Sequence, residues 1–157
     1  MKKILVFIFI VILLCCVNLT AVQNLTLDKI FPNAMVEVFL QQKGNLIDHK
    51  TIANGQGEIV YCDIQDLDYI LNQNLKVTGY TLKIHSCEID ILNLLNVNDV
   101  QQQNFGIYGF SEMLENYAKK FNLLTKKVKI NQKMVNFQYI NKNDYILIGF
   151  PILLGSY

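Results

Sequence analysis

The chain has 157 residues, a formal net charge of +1 at neutral pH, and neither arginine nor tryptophan. Proteins that bind nucleic acid depend on a cationic excess and on arginine for bidentate phosphate contacts. The composition therefore argues against nucleic acid as a partner, and the length suffices for one small domain with its own core.

The N-terminus has the order of a secretory signal. Lysines at 2–3 form a positive start, and residues 4–17 are an unbroken apolar run. A more polar stretch follows at 18–21. The apolar character continues to residue 22, close to the length that spans a bilayer. The segment is therefore predicted to be either a cleaved signal peptide or a retained membrane anchor. Lipid attachment at Cys15 or Cys16 is a poorer match, because no small residue precedes either cysteine.

Three segments are predicted along the chain. Residues 1–22 are the signal or anchor, residues 23–33 are a polar linker, and residues 34–157 are a single α+β domain. Both fates of the leader place this domain outside the cytoplasm. The protein is thus expected to be secreted, or held at the outer face of the cytoplasmic membrane through its N-terminal segment.

The domain begins with segments that have strand and turn character. Residues 35–40 are β-rich, and residues 45–52 are expected to return as their partner strand. The sequence Asn-Gly-Gln-Gly at 54–57 is a strong turn signal before a further strand at 58–62.

Two helices flank the next predicted strand. Asp63 can cap the first helix, and a strand at 80–85 follows it. Ser86 is then expected to cap a second short helix with acidic residues in its first turn. The apolar residues that recur at helical spacing in the first helix are Ile64, Leu67, Ile70 and Leu71.

The second half of the domain repeats this mixture. A strand is predicted at 105–110, and residues 111–124 form an amphipathic helix capped by Ser111. Further strands are predicted at 127–130, 134–140 and 145–150. The fold class expected from these elements is α+β, with a mostly antiparallel sheet and two or three short helices.

One strand has a regular alternation. Val135, Phe137 and Tyr139 alternate with Asn136 and Gln138, which is the pattern of a strand with one buried and one exposed face. The segment at 149–157 is more apolar than most chain ends, so it must pack against something. We expect a last strand buried in its own domain, with docking to a partner as the alternative.

Two cysteines remain in the predicted exported part. Cys62 ends one strand and Cys87 lies just past another, so parallel alignment of these strands would bring the cysteines to the same edge of the sheet. Outside the cytoplasm such a pair suggests a disulfide. The alternative is two buried free thiols.

The sequence His85-Ser86-Cys87 is the cluster that most resembles a catalytic site. A thiolate beside an imidazole can act as a nucleophile, but no third residue that would orient them is identifiable. Adding His49 and Cys62 gives four potential zinc ligands without a recognised ligand spacing. No catalytic residue, metal or cofactor is therefore predicted.

Residues 119–133 hold six lysines and no acidic residue. One interpretation is a solvated surface with outward-pointing lysines. The other is a patch that contacts an anionic envelope polymer or lipid headgroups. The lysines concerned are Lys119, Lys120, Lys126, Lys127, Lys129 and Lys133.

The C-terminal third resembles a known family. The sequence Ile-Gly-Phe-Pro-Ile at 148–152, the terminal Tyr157 and the strand at 135–139 are similar to the ending of the YwmB family, exported proteins of Firmicutes. The resemblance implies an α+β fold like that of TATA-box-binding protein. It implies no catalytic residues, and a shared fold does not transfer DNA binding.

These observations predict a non-enzymatic binding or accessory protein of the bacterial cell envelope, with an envelope protein or anionic polymer as partner. One alternative is a cell-envelope enzyme that uses Cys87 with His85. The other is a structural, membrane-anchored protein that contacts anionic envelope components through its lysines.

Overall fold

The computed structural model describes residues 26–44, 46, 48–73, 75–85, 90–123 and 127–154. The chain divides into two compact units, Met1–Pro32 and Asn33–Tyr157. The described part of the first unit contains helix α1 (Leu27–Ile30), a single turn inside the predicted linker. The predicted signal or anchor at 1–22 lies outside the described residues. Within the described ranges, no helix has the length and apolar character needed to cross a bilayer.

The second unit is built on an antiparallel sheet, which confirms the α+β class with a mostly antiparallel sheet. Its described helices are α2 (Ile64–Leu71), α3 (Ile91–Leu94) and α4 (Glu112–Lys120). The strands are β1 (Met35–Leu40), β2 (Lys50–Asn54), β3 (Gly57–Asp63), β4 (Val77–His85), β5 (Val97–Gln103), β6 (Gly106–Ser111), β7 (Val128–Ile130), β8 (Lys133–Val135), β9 (Phe137–Asn141) and β10 (Tyr145–Phe150).

The sheet consists of two halves with corresponding parts. Its order is β2-β3-β1-β4-β10-β9-β6-β5, and β7 pairs with β8 in a separate ribbon. In each half an edge hairpin leads into a helix: β2 and β3 precede α2, and β5 and β6 precede α4. The strands β4 and β10 meet at the centre of the sheet in antiparallel register.

The predicted strand, helix, strand unit is present, but its two strands are not neighbours. Strand β1 pairs antiparallel with both β3 and β4, so β3 and β4 run parallel with β1 between them. The sequence predicted that β2 would return against β1, but β2 pairs with β3. The hairpin turn at Gly55 has a φ of 61°, a conformation that glycine adopts without steric cost.

One face of the sheet carries the helices. Residues opposite each other in antiparallel strands point to the same face, and Val38, Tyr80 and Phe150 lie in one such row across β1, β4 and β10. All three side chains are buried. The Tyr80 ring stacks on Phe150 at 5.2 Å and meets the edge of Tyr117 of α4 at 6.3 Å. We call this the helix face.

The predicted helices α2 and α4 are confirmed, although α4 ends at Lys120, short of the predicted end at 124. Ile64, Leu67, Ile70 and Leu71 of α2 are buried, as are Leu114, Tyr117 and Ala118 of α4. Ser111 caps α4 as expected, since its Oγ accepts a hydrogen bond from the Leu114 N–H at 3.3 Å. Asp63 makes no side-chain capping bond to α2. The N–H of Ile64, the first helical residue, donates to the Ala34 carbonyl at 3.0 Å.

Asp68 ties the two helices together. Its carboxylate accepts a hydrogen bond from the Tyr117 hydroxyl and lies 3.1 Å from the Lys120 ammonium. Burial, and secondarily the charge of Asp68, raise the pKa of the Tyr80 hydroxyl below them. That hydroxyl is buried and has no hydrogen-bond partner in the described part of the chain.

The expectation of alternating burial at 135–139 is wrong. Asn136 is 2% exposed and Gln138 is 6% exposed, so both are as buried as the apolar residues around them. The predicted single strand is broken at Asn136 into β8 and β9. Asn136 can be buried because its side-chain amide binds both backbone groups of Ser111. Its Oδ1 atom accepts from the Ser111 N–H at 2.8 Å, and its Nδ2 atom donates to the Ser111 carbonyl at 2.8 Å.

Residues 149–150 end the buried strand β10, and residues 151–154 pack on the same domain without forming a strand. After β10 the chain folds back, and the Leu153 N–H donates to Oε1 of Gln138 at 2.9 Å. A methyl group in place of the Gly149 hydrogen would collide with the backbone of Ile152 and Leu153. Glycine is therefore required there for the close approach, and residues 155–157 lie outside the described residues.

Two further elements differ from expectation. Helix α3 begins at Ile91, and Asp90 caps it by accepting a hydrogen bond from the Asn93 N–H at 3.2 Å. The predicted cap Ser86 lies outside the described residues.

Strand β5 was not predicted, because its sequence is mostly polar. It is an edge strand with a register shift between Asn98 and Gln101.

Replacement of Asn136 by alanine should destabilise the domain strongly. The change leaves two buried backbone groups of Ser111 without partners, at about 1–3 kcal/mol for each unsatisfied group. We expect the free energy of unfolding to fall by about 2–6 kcal/mol in denaturant titration. Asn141→Ala, at an exposed amide of the same chain segment, is the control and should cost far less. Equal losses would contradict this assignment.

Replacement of Tyr80 by phenylalanine should stabilise the domain, because it removes a buried hydroxyl that has no partner in the described structure. The expected gain in the free energy of unfolding is about 1 kcal/mol. Tyr117→Phe is the matched control, and it should lower stability because it removes the hydrogen bond to Asp68. A marked loss of stability in Tyr80→Phe would show that the hydroxyl has a partner after all.

Candidate functional site

A cleft of about 270 Å³ lies beside helix α4 and combines an apolar floor with charged walls. Typical small-molecule pockets enclose about 300–1,000 Å³. The cleft is therefore suited to part of a ligand, such as a headgroup with a short apolar stretch. Its lining residues are Glu115, Ala118, Lys119, Asn122, Leu123, Lys127, Asn136 and Phe150. We call it the α4 cleft.

The local sequence of α4 places its charges along one wall. Acidic residues occupy the first turn and lysines the last turn, which suits the helix dipole at both ends. The helical repeat puts Leu114 and Tyr117 into the core. It puts Glu115 and Lys119 one turn apart on the side of the helix, where side chains four residues apart meet.

The floor of the cleft is formed by side chains that are fixed by contacts in the protein core. Phe150 is 3% exposed and is held by stacking on Tyr80. Asn136 is held by its two hydrogen bonds to Ser111, so its amide serves the fold and has little capacity left for a ligand. Ala118 and Leu123 complete the apolar part.

Two lysines converge on one carboxylate at the rim. The Glu115 Oε1 atom lies 3.2 Å from the Lys119 Nζ atom and 3.1 Å from the Lys127 Nζ atom. Lys127 also lies over the ring of Phe110, 4.8 Å from its centroid. Burial would raise the pKa of Glu115, but the hydrogen bonds and charges of Lys127 and Lys119 outweigh it and lower the pKa below its usual 4.5.

Most of the described lysines in the predicted patch are paired inside the protein. Besides Lys119 and Lys127, Lys120 pairs with Asp68 at 3.1 Å and Lys133 pairs with Asp99 at 2.8 Å. Lys129 is exposed, and Lys126 lies outside the described residues. Contact of this patch with an anionic surface stays a prediction, but its charge is partly balanced by acids that sequence inspection did not connect to it.

Cys62 has the environment of a structural thiol. Its side chain is half-buried, and burial together with the charges of Asp66 and Asp63 raises the pKa of the thiol to about 12. A thiolate at this position is therefore strongly disfavoured at neutral pH. Cys87 lies outside the described residues, so the disulfide with Cys62 stays a prediction.

The histidines are not brought together with Cys62 into a recognisable centre. His85 is the exposed last residue of β4, opposite Tyr145. His49 lies near the carboxylate of Asp66, with 3.9 Å between Nε2 and Oδ2. Among the described residues, no three His, Cys, Asp or Glu side chains are grouped so that they could hold a metal ion.

A second concavity of about 420 Å³ lies at the turn between β5 and β6. Phe105 stands at its edge with 75% of its surface exposed. It is lined by residues 102–107 and 139–142, which contribute apolar and aromatic side chains as well as amides. It lacks converging charges like those around Glu115, so the α4 cleft is the stronger candidate site.

Comparison with known proteins adds no relative: no family model, curated protein or solved structure matches this chain. The resemblance to the YwmB family therefore stays a prediction. The candidate site rests on the geometry of the α4 cleft alone.

The Glu115 ion pairs should make stability depend on pH in the acid range. Because the pKa of Glu115 is lowered by folding, its contribution is present above the ordinary value of 4.5 and is lost as pH falls through the folded value. Glu115→Gln should thus cost at most about 1 kcal/mol at pH 7, as expected for exposed pairs, and less near pH 3. Denaturant unfolding at both pH values measures this, and a cost that grew on acidification would contradict it.

Proposed function

We propose that the chain is an exported, non-enzymatic binding or accessory protein of the bacterial cell envelope, and that the α4 cleft is its binding site. The observation that carries the proposal is the convergence of the Lys119 and Lys127 ammonium groups above an apolar floor. Such a site offers charge for an anionic group and surface for an adjoining apolar one.

The leader supports the location. A positive start followed by an apolar run favours export, whether the segment is cleaved or retained as an anchor. At the outer face of the membrane, the cleft would meet anionic polymers and lipid headgroups. Lysine, a flexible point charge, suits such loosely defined anions better than it suits a bidentate site.

The fold is proposed to belong to the TATA-box-binding-protein type. Support comes from the two corresponding halves, whose strands β4 and β10 meet at the centre, and from the helices α2 and α4 on one face. The resemblance of the C-terminal third to the YwmB family agrees with this assignment. The absence of arginine from the chain argues against carrying DNA binding over from the fold.

Complementation of a deletion strain, combined with cell fractionation, tests the proposal. The double variant Lys119→Gln/Lys127→Gln should lose function while the protein remains folded and in the envelope fraction. Lys43→Gln/Lys76→Gln removes the same charge from exposed positions outside the cleft and should retain function.

The same assay separates the enzyme alternative. Cys87→Ala and His85→Ala should both complement normally if the protein is a binding module. Loss of complementation in either one, at unchanged protein level and fold, would contradict the proposal and favour an enzyme that uses these residues. Loss in both lysine doubles would favour a structural role that depends on overall charge.

A further inference from the structure

We infer that the α4 cleft takes an amphipathic anion, a phosphate or carboxylate group on a short alkyl chain, and that Glu115 occupies the anion's position when the cleft is empty. The inference rests on the proposed binding function and adds the class of ligand. It also assigns Glu115 a role as a competitor that the ligand must displace.

The ion pairs of the Glu115 carboxylate indicate that the head of the ligand is an anionic group. One carboxylate oxygen of Glu115 lies within 3.2 Å of both ammonium groups, those of Lys119 and Lys127. The lysine side chains are 68% and 41% exposed, whereas that of Glu115 is 23% exposed. An external anion can therefore approach both lysines from solvent, and each would exchange one anionic partner for another.

The apolar floor of the cleft indicates that the ligand has an alkyl tail. Phe150, Ala118 and Leu123 lie in the same cleft as the two lysines, so an alkyl group attached to the anion would rest on them. The volume of about 270 Å³ corresponds to roughly nine water molecules at ~30 Å³ each. That space suits a headgroup with a few methylene groups, and a longer chain would extend out of the cleft.

Glu115 sets the affinity because its ion pairs must be broken on binding. Glu115→Gln removes the competing charge and keeps the side-chain shape, so it should tighten binding of an alkyl phosphate by about 2- to 5-fold, the equivalent of the stability assigned to its exposed ion pairs. Asp99→Asn is the matched control. It also adds one unit of positive charge, but it frees Lys133, which does not line the cleft.

Butyl phosphate is the probe, and ligand-observed NMR titration of the full-length chain in zwitterionic nanodiscs is the measurement. We expect Glu115→Gln to bind butyl phosphate more tightly than the wild type, and Asp99→Asn to match the wild type. Inorganic phosphate and butanol should each bind more weakly than butyl phosphate, because each lacks one half of the ligand.

Three results would overturn the inference: no binding by any variant, equal affinities for inorganic and butyl phosphate, or equal gains in Glu115→Gln and Asp99→Asn. None of them decides the proposed function, which the complementation assay tests separately. Nanodiscs with an anionic phospholipid identify the source of the ligand. A tighter association confined to Glu115→Gln indicates a lipid headgroup, and no change in association indicates a free amphiphile.

Discussion

The pair of hydrogen bonds between the Asn136 amide and the Ser111 backbone is the contact on which the second half of the domain depends. Ser111 is the last residue of β6 and the cap of α4, and it is completely buried. Its hydroxyl also donates to the Leu95 carbonyl at 2.6 Å, next to α3. One residue thus joins a strand, two helix ends and the break between β8 and β9. The position of α4, and hence of the cleft, follows from this joint.

A second buried amide continues the arrangement along β9. The Nε2 atom of Gln138 donates to the Phe105 carbonyl at 2.9 Å and to the Tyr108 hydroxyl at 3.1 Å, while its Oε1 atom accepts from the Leu153 N–H. Buried amides that find partners for their polar atoms specify one arrangement, because any other would leave those atoms unsatisfied. The row Val38, Tyr80 and Phe150 is held by apolar packing instead.

Local pattern was enough to predict the elements whose burial follows a regular period. The strand Met35–Leu40 and the helices α2 and α4 were found because apolar spacing and a capping serine are visible within a few residues. Burial of Asn136 and Gln138 was missed for a non-local reason: their partners lie 15 to 33 residues away in the chain, so the amides look like solvent-facing positions.

The candidate site was predictable to the same limited extent. The excess of lysine at 119–133 is a visible signal, and Lys119 and Lys127 do line the cleft. The partners Asp68 and Asp99 come from α2 and β5, so the charge balance of the surface emerges only when the chain folds. The floor residue Phe150 lies at the end of β10, and nothing in its local sequence connects it to the lysines.

Native-state hydrogen exchange of the Ser111 amide tests the central claim most directly. Because this N–H is buried and donates to a buried side chain, we expect it to exchange only through global unfolding, with the same free energy as amides at the centre of β4 and β10. Exchange of the Ser111 amide by local opening, at a free energy well below that of the central strands, would contradict the role assigned to the Asn136–Ser111 contact.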